Sequence, residues 1–128
     1  MEIQFSEKDN HLIVAPIGEI DHHNSMSLRT NIEKLFNRGT NKHIIFDFAG
    51  VTFMDSSGIG VLIGRYRELK KTGGHVYVIN VSPECKPLFG VSGLFRIIPL
   101  HDSLDSIFNP PDKNAAKDKT GTKKGARP

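Results

Sequence analysis

Asp55, Ser56, Ser57 and Gly58 are the residues of this chain best equipped for chemistry. An acid, two hydroxyls and a glycine stand between the β-prone residues Thr52-Phe53 and an apolar pattern of helical period that begins at Ile59. A strand-to-helix junction exposes unpaired N–H groups and the positive end of the helix dipole. Ligands and partners gather at the carboxyl ends of strands in open α/β sheets. Four kinds of chemistry use such a corner.

The plainest is capping. Asp55, Ser56 and Ser57 are all good N-cap residues, but one cap suffices. A hydrolytic nucleophile is the second. The nucleophile elbow needs G-x-S-x-G. Met54 and Gly58 flank Ser56 at the glycine positions, and Asp55 and Ile59 flank Ser57, so neither serine fits. A nucleotide loop is the third. "GIGVLIG" is one residue too long for the dinucleotide fingerprint and lies inside the helical pattern. No Lys or Arg occurs in residues 50–60 to meet phosphates. The fourth is modification. A serine in a turn beside glycine is accessible to a kinase, and a phosphate adds about −1.5 to −2 charges at neutral pH. A helix N-terminus tolerates that charge. The surface changes while the fold stays.

The elements that position this corner follow from periodicity. "IQFSEKD" and "HLIVAPIGEI", broken at Lys8 to Asn10, predict a hairpin over residues 2–7 and 11–18. Met26, Leu28, Ile32, Leu35 and Phe36 recur at helical spacing until Gly39. "KHIIFDFAG" is one buried strand closed by Gly50. Ile59, Leu62, Ile63, Tyr66 and Leu69 form one helix face, with Arg65, Arg67, Lys70 and Lys71 elsewhere and Gly73-Gly74 as the stop. On that helix Gly60 and Gly64 share a face and admit close approach of another backbone. "HVYVIN" is a strand, "SPECKPLFGVSG" a short helix entered through Ser82-Pro83, "FRIIPL" a strand and "HDSLDSIF" a last helix. The order ββαβαβαβα implies an α/β fold: a mixed, mainly parallel sheet with about four helices.

Composition narrows the function classes. The chain has 128 residues, enough for one domain. Cys85 is the single cysteine, which rules out an internal disulfide or a multi-cysteine metal site. The single cysteine fits a reducing, cytosolic setting; the acidic, polar N-terminus is no secretory signal, and no apolar run is long enough for a membrane span. The net charge of +3 resides in residues 109–128, where six Lys/Arg face two Asp. Residues 1–108 hold 11 Lys/Arg against 12 Asp/Glu, so the domain has no basic footprint for nucleic acid. The tail has no aromatic residue and many lysines, and is expected to be a disordered basic extension. His22-His23 point about 100° apart on a helix and make a poor metal pair. No motif calls for a cofactor.

"TFMDSSGIGVLIGRYRELKKTGG" resembles the signature of the STAS domain of anti-sigma factor antagonists. "GEIDHHN" and "SGLFRIIP" resemble its sporulation branch, the anti-sigma F factor antagonists, and the likeness spans about residues 3 to 108. It implies a STAS fold and a small cytoplasmic regulator that is not an enzyme. It implies a partner that is both an anti-sigma factor and an ATP-dependent serine kinase, and a dedicated serine phosphatase. It places the phosphoacceptor on the serine after the aspartate, Ser56, with Ser57 shaping the turn. It also puts the Asp21 corner beside the Ser56 corner, so that Asp21 could hydrogen-bond the Ser56 hydroxyl or cap the first helix. His22, His23, Met54, Asp55, Gly58 and Ile59 would surround the phosphosite and meet the partner. Family members end soon after the last helix, so the basic tail is a departure. Rival readings are an antagonist in a general stress-response pathway, a nucleotide-binding STAS domain and a STAS domain of an anion transporter.

Overall fold

A computed structural model describes residues 1–110; the basic tail expected from residue 109 lies almost wholly outside the described residues. Six strands and four helices follow one another as β1 (Glu2–Lys8), β2 (His11–Ile20), α1 (Ser25–Arg38), β3 (His43–Asp47), β4 (Val51–Met54), α2 (Ser56–Lys70), β5 (Val76–Ile79), α3 (Lys86–Ser92), β6 (Leu100–His101) and α4 (Leu104–Phe108). The strands lie in the order β1-β2-β3-β5-β6, with β4 also on β2. Among the described strands only β1 runs antiparallel to its neighbour. The α/β, mixed and mainly parallel class read from the sequence holds.

The hairpin closes on Asp9 and Asn10, both at positive φ (48° and 70°), as a two-residue turn with twist matched to the strands requires. Strand β2 then serves two partners in turn. Its first half pairs with β3 from His11 to Val14, and its end pairs with β4 from Gly18 to Ile20. Between these stands Pro16, which has no N–H to offer a ladder. At Gly18 the register shifts and φ is +104°, a conformation open to glycine at little cost. This bulge bends β2 and aims Ile20-Asp21 at the end of β4.

One face of the sheet carries the main core. Leu28 and Ile32 of α1, Ile59, Val61, Leu62 and Leu69 of α2, and Phe89 of α3 pack there on Val14, Ile44, Phe46 and Val78. The other face holds a smaller cluster, Ile13, Ile45 and Ile79, against Leu104, Ile107 and Phe108 at α4.

Four expectations change. The run closed by Gly50 is the single strand β3, but a further strand, β4, follows it, because Val51 N–H donates to the Phe48 carbonyl (3.0 Å) in a tight turn between the two. "FRIIPL" is mostly not a strand. Gly93, at φ +73°, leads into a 3-10 turn over Leu94–Arg96, and only Leu100–His101 pairs. The α1 stripe is narrower than its periodicity, since Met26 (62% exposed) and Leu35 (38%) face outward. Arg65, placed off the apolar face by its charge, is 7% exposed. Its Nη2 donates to Glu33 Oε2 at 2.5 Å, and pairing is what lets a guanidinium sit there.

Candidate functional site: two corners joined by Asp55

Strands β2 and β4 end side by side, and each delivers an aspartate at its exit. Asp55 leaves β4 and caps α2. Its Oδ1 accepts the Ser57 N–H (2.8 Å) and also the Ser57 hydroxyl. Its Oδ2 accepts the backbone N–H of His22 (3.2 Å), and its own N–H donates to the Ile20 carbonyl (3.1 Å). The Ser57 hydroxyl bond is the main reason the Asp55 carboxyl is held below its ordinary pKa; partial burial opposes it, and the N–H groups of Ser57 and His22 add to it. Asp55 is thus ionised at neutral pH and fully engaged.

Ser56 is the first residue of α2 and is exposed, and its hydroxyl bonds to no described residue. Ser57 is half-buried and occupied by Asp55. Of the three candidate caps, Asp55 takes the role.

Asp21 does not reach Ser56. Its Oδ1 accepts the N–H groups of His23 (3.0 Å) and Asn24 (3.1 Å), and its N–H donates to Asn24 Oδ1 (2.9 Å). These bonds stiffen the turn before α1, whose N-cap position is Asn24, so Asp21 does not cap the helix with its side chain. The expected neighbourhood of the two corners is present, but Asp55 makes the link.

Met54 and Ile59 are each 6% exposed and belong to the core. Gly58 is buried between them: a Cβ there would lie 2.4 Å from Met54 Cγ and 3.1 Å from Ile20 Cγ2. These three residues support the corner from beneath and are not its contact surface. His22 and His23 are exposed with ring centroids 6.0 Å apart. Among the described residues no group of His, Cys, Asp and Glu suits a metal ion.

The outward surface comes from residues that periodicity concealed. Met26 lies at core spacing on α1 yet is 62% exposed, and Phe53, in the β-prone pair before the corner, is 49% exposed. A hollow of about 300 Å³ opens beside the corner, walled by His22, Ser25, Met26 and Arg29 and floored by Ser57 and Gly60. Arg29 lines the same hollow as Ser57 and so sets a cation in this lining, where residues 50–60 have none. No local signal marks it, since its proximity depends on how α1 packs beside α2. Among the described residues no helix is long and apolar enough to cross a membrane.

Comparisons with known proteins identify the fold and the family. An anti-sigma F factor antagonist of Paenibacillus polymyxa is 37% identical over 103 residues, covering 80% of this chain and 88% of that one. An anti-sigma-B factor antagonist of Bacillus subtilis (strain 168) is 32% identical over 98 residues, covering 77% and 88%. The unphosphorylated form of the anti-sigma factor antagonist SpoIIAA superposes with a TM-score of 0.72 at 31% identity, covering 83% of this chain and 93% of that one. The phosphorylated form of SpoIIAA, a Bacillus cell fate determinant, gives 0.64 at 31% identity, covering 83% and 96%. Residues 2–107 match the STAS domain, from the first strand into the last helix, and the chain belongs to that family.

Proposed function

We propose that this chain is an anti-sigma factor antagonist whose binding surface is switched by phosphorylation of Ser56. One observation carries the reading. Ser56 offers a free, exposed hydroxyl on a corner whose bonds are all made by its neighbours. Modifying it breaks no hydrogen bond among the described residues. The unphosphorylated chain binds an anti-sigma factor that is also a serine kinase, and so releases the sigma factor. A phosphate then places about −1.5 to −2 charges at the start of α2. The helix dipole accepts that charge, but Asp55 and Asp21 face it from the same corner, and a partner lying over the corner is repelled. A serine phosphatase restores the first state. The ATP is the partner's, the setting cytoplasmic, and the chain itself regulates by binding and not by catalysis. The occurrence of SpoIIAA in both unphosphorylated and phosphorylated forms supports the switch, and the 37% identity to an anti-sigma F factor antagonist favours the sporulation branch over the stress-response one.

The test incubates the chain with its cognate anti-sigma factor and ATP and maps modified residues by mass spectrometry. A single phosphate on Ser56 with weaker binding afterwards is expected. Binding without phosphate would leave an antagonist regulated in another way, and neither phosphate nor binding would overturn the proposal.

A further inference from the structure

Gly60 and Gly64 lie inside α2, where glycine is unfavourable relative to alanine. Something must approach their bare backbone for the loss to be made good. Nothing in the described chain does: a Cβ built at either position meets no atom within 4 Å. The close approach expected from the sequence is absent among the described residues, and both glycines face open space there.

That space is a groove between α1 and α2. Two hollows lie along it, the one beside Ser57 and Gly60 and a second of about 620 Å³ that includes Glu33, Gly64, Arg65 and Arg67. Arg29 borders both. Arg65 in its wall is 7% exposed, yet its Nε has no hydrogen-bond partner. Buried donors are nearly always satisfied, but this Nε is itself closed off from the groove, and Arg65 lines the groove through the rest of its guanidinium, whose Nη2 holds Glu33. The groove's own acids are already engaged. Glu33 is held by Arg65 (2.5 Å) and Arg29 (3.9 Å), and Glu68 by Lys71 (3.0 Å). Arg67 has no carboxylate within 4 Å among the described residues.

We propose that this groove seats an acidic α-helix of the protein partner, with its backbone against Gly60 and Gly64 and its carboxylates on Arg29, Arg65 and Arg67. A trough between two helices with small residues about one turn apart admits the ridge of a third helix. The three guanidiniums select acidic residues on it. The inference rests on the proposed function, because the groove opens at the Ser56 corner and its occupant is the partner that binds there. It also adds to the switch. A phosphate at the groove's mouth faces the carboxylates of the seated helix as well as Asp55.

The experiment measures affinity for the cognate anti-sigma factor by calorimetry, using the full chain and its Gly60→Leu, Gly64→Leu and Arg67→Glu variants. Gly64→Ala, whose one added carbon has free space, is the second variant should the leucines disturb folding. A Tm at or above that of the wild type shows that α2 is intact. Expected are a loss of about tenfold or more for the leucine variants, a smaller loss for Gly64→Ala, and for Arg67→Glu weaker binding with a shallower salt dependence. Wild-type affinity in all the folded variants, with the wild type itself binding, overturns the groove and leaves the proposed function standing. Failure of the wild type to bind overturns both. Tighter binding by Arg67→Glu overturns the acidic character of the occupant.

Discussion

The backbone N–H of His22 donates to Asp55 Oδ2 at 3.2 Å and ties the exit of β2 to the start of α2 across 33 residues of sequence. The same carboxylate caps α2 through Ser57. One side chain therefore fixes both the helix end that presents Ser56 and the turn that presents the histidines. A partner meets a preformed surface, and little ordering cost remains at binding.

Asp55→Asn tests this link. An amide retains one acceptor oxygen but sets an NH₂ where the second oxygen had been, against the His22 or Ser57 N–H. The expected outcome is a lower Tm and weaker partner binding than for the wild type, with Asp55→Ala lower again. Acid unfolding gives an independent check. The Asp55 carboxyl has its pKa depressed in the fold, first by the Ser57 hydroxyl, so its contribution is present at neutral pH and is lost as the pH falls below about 4. In Asp55→Asn that part of the acid transition should be missing; an unchanged acid midpoint would show that the carboxylate bonds contribute nothing.

Ser56→Ala should leave the fold untouched. The hydroxyl is exposed and bonds to no described residue, so a stability change within about 0.5 kcal/mol is expected by chemical denaturation. The variant should bind the anti-sigma factor and take up no phosphate. Normal phosphorylation of it would move the acceptor elsewhere. Ser57→Ala, by contrast, removes a hydroxyl bonded to Asp55 and should lower Tm.

Gly58 is held small by Met54. Gly58→Ala sets a carbon 2.4 Å from Met54 Cγ in a buried position, and overpacking of this kind costs about 1–3 kcal/mol. Adding Met54→Ala removes the clash. The double variant should be less destabilised than the sum of the two single ones, a coupling that a double-mutant cycle in urea measures. Strict additivity would mean that Met54 simply moves aside.

Much of this was legible in local patterns. The hairpin, the helical period after Gly58 and the strand–helix alternation all reflect short-range geometry, and so did the idea of an aspartate or serine cap at residue 55–57. What periodicity missed depends on contacts distant in sequence. Arg65 is buried because Glu33, on another helix, pairs with it. Met26 sits at core spacing but stands 62% exposed at the edge of an open hollow between α1 and α2. The turn at Phe48–Val51 splits a run that is β-prone on both sides. The engagement of Asp21 in its own turn, and the handing of the link to Asp55, are set by how the bulge at Gly18 aims the chain.

The far end of the sheet predicts a pH response. His11 and His43 are cross-strand partners with rings 4.5 Å apart, and His75 stacks on His43 at 5.3 Å. The backbone N–H of His75 donates to His43 Nδ1 (2.9 Å), so that nitrogen carries no proton. Burial, then the charges of His11, His75 and Lys42, hold the His43 pKa below its ordinary value. The unfolded chain therefore binds a proton more readily than the folded one. The stability from this source is fully present above about pH 6.5 and is lost as the pH falls through the lower folded value. Phe108 of α4 rests on His11 (4.9 Å) with Lys8 over its ring, so charging the ladder should loosen α4 first. The expected result is a Tm that falls between about pH 7 and about pH 5 more steeply in the wild type than in His43→Gln, which keeps an acceptor but gains no charge. Parallel losses in the two proteins would remove the histidine ladder as the cause.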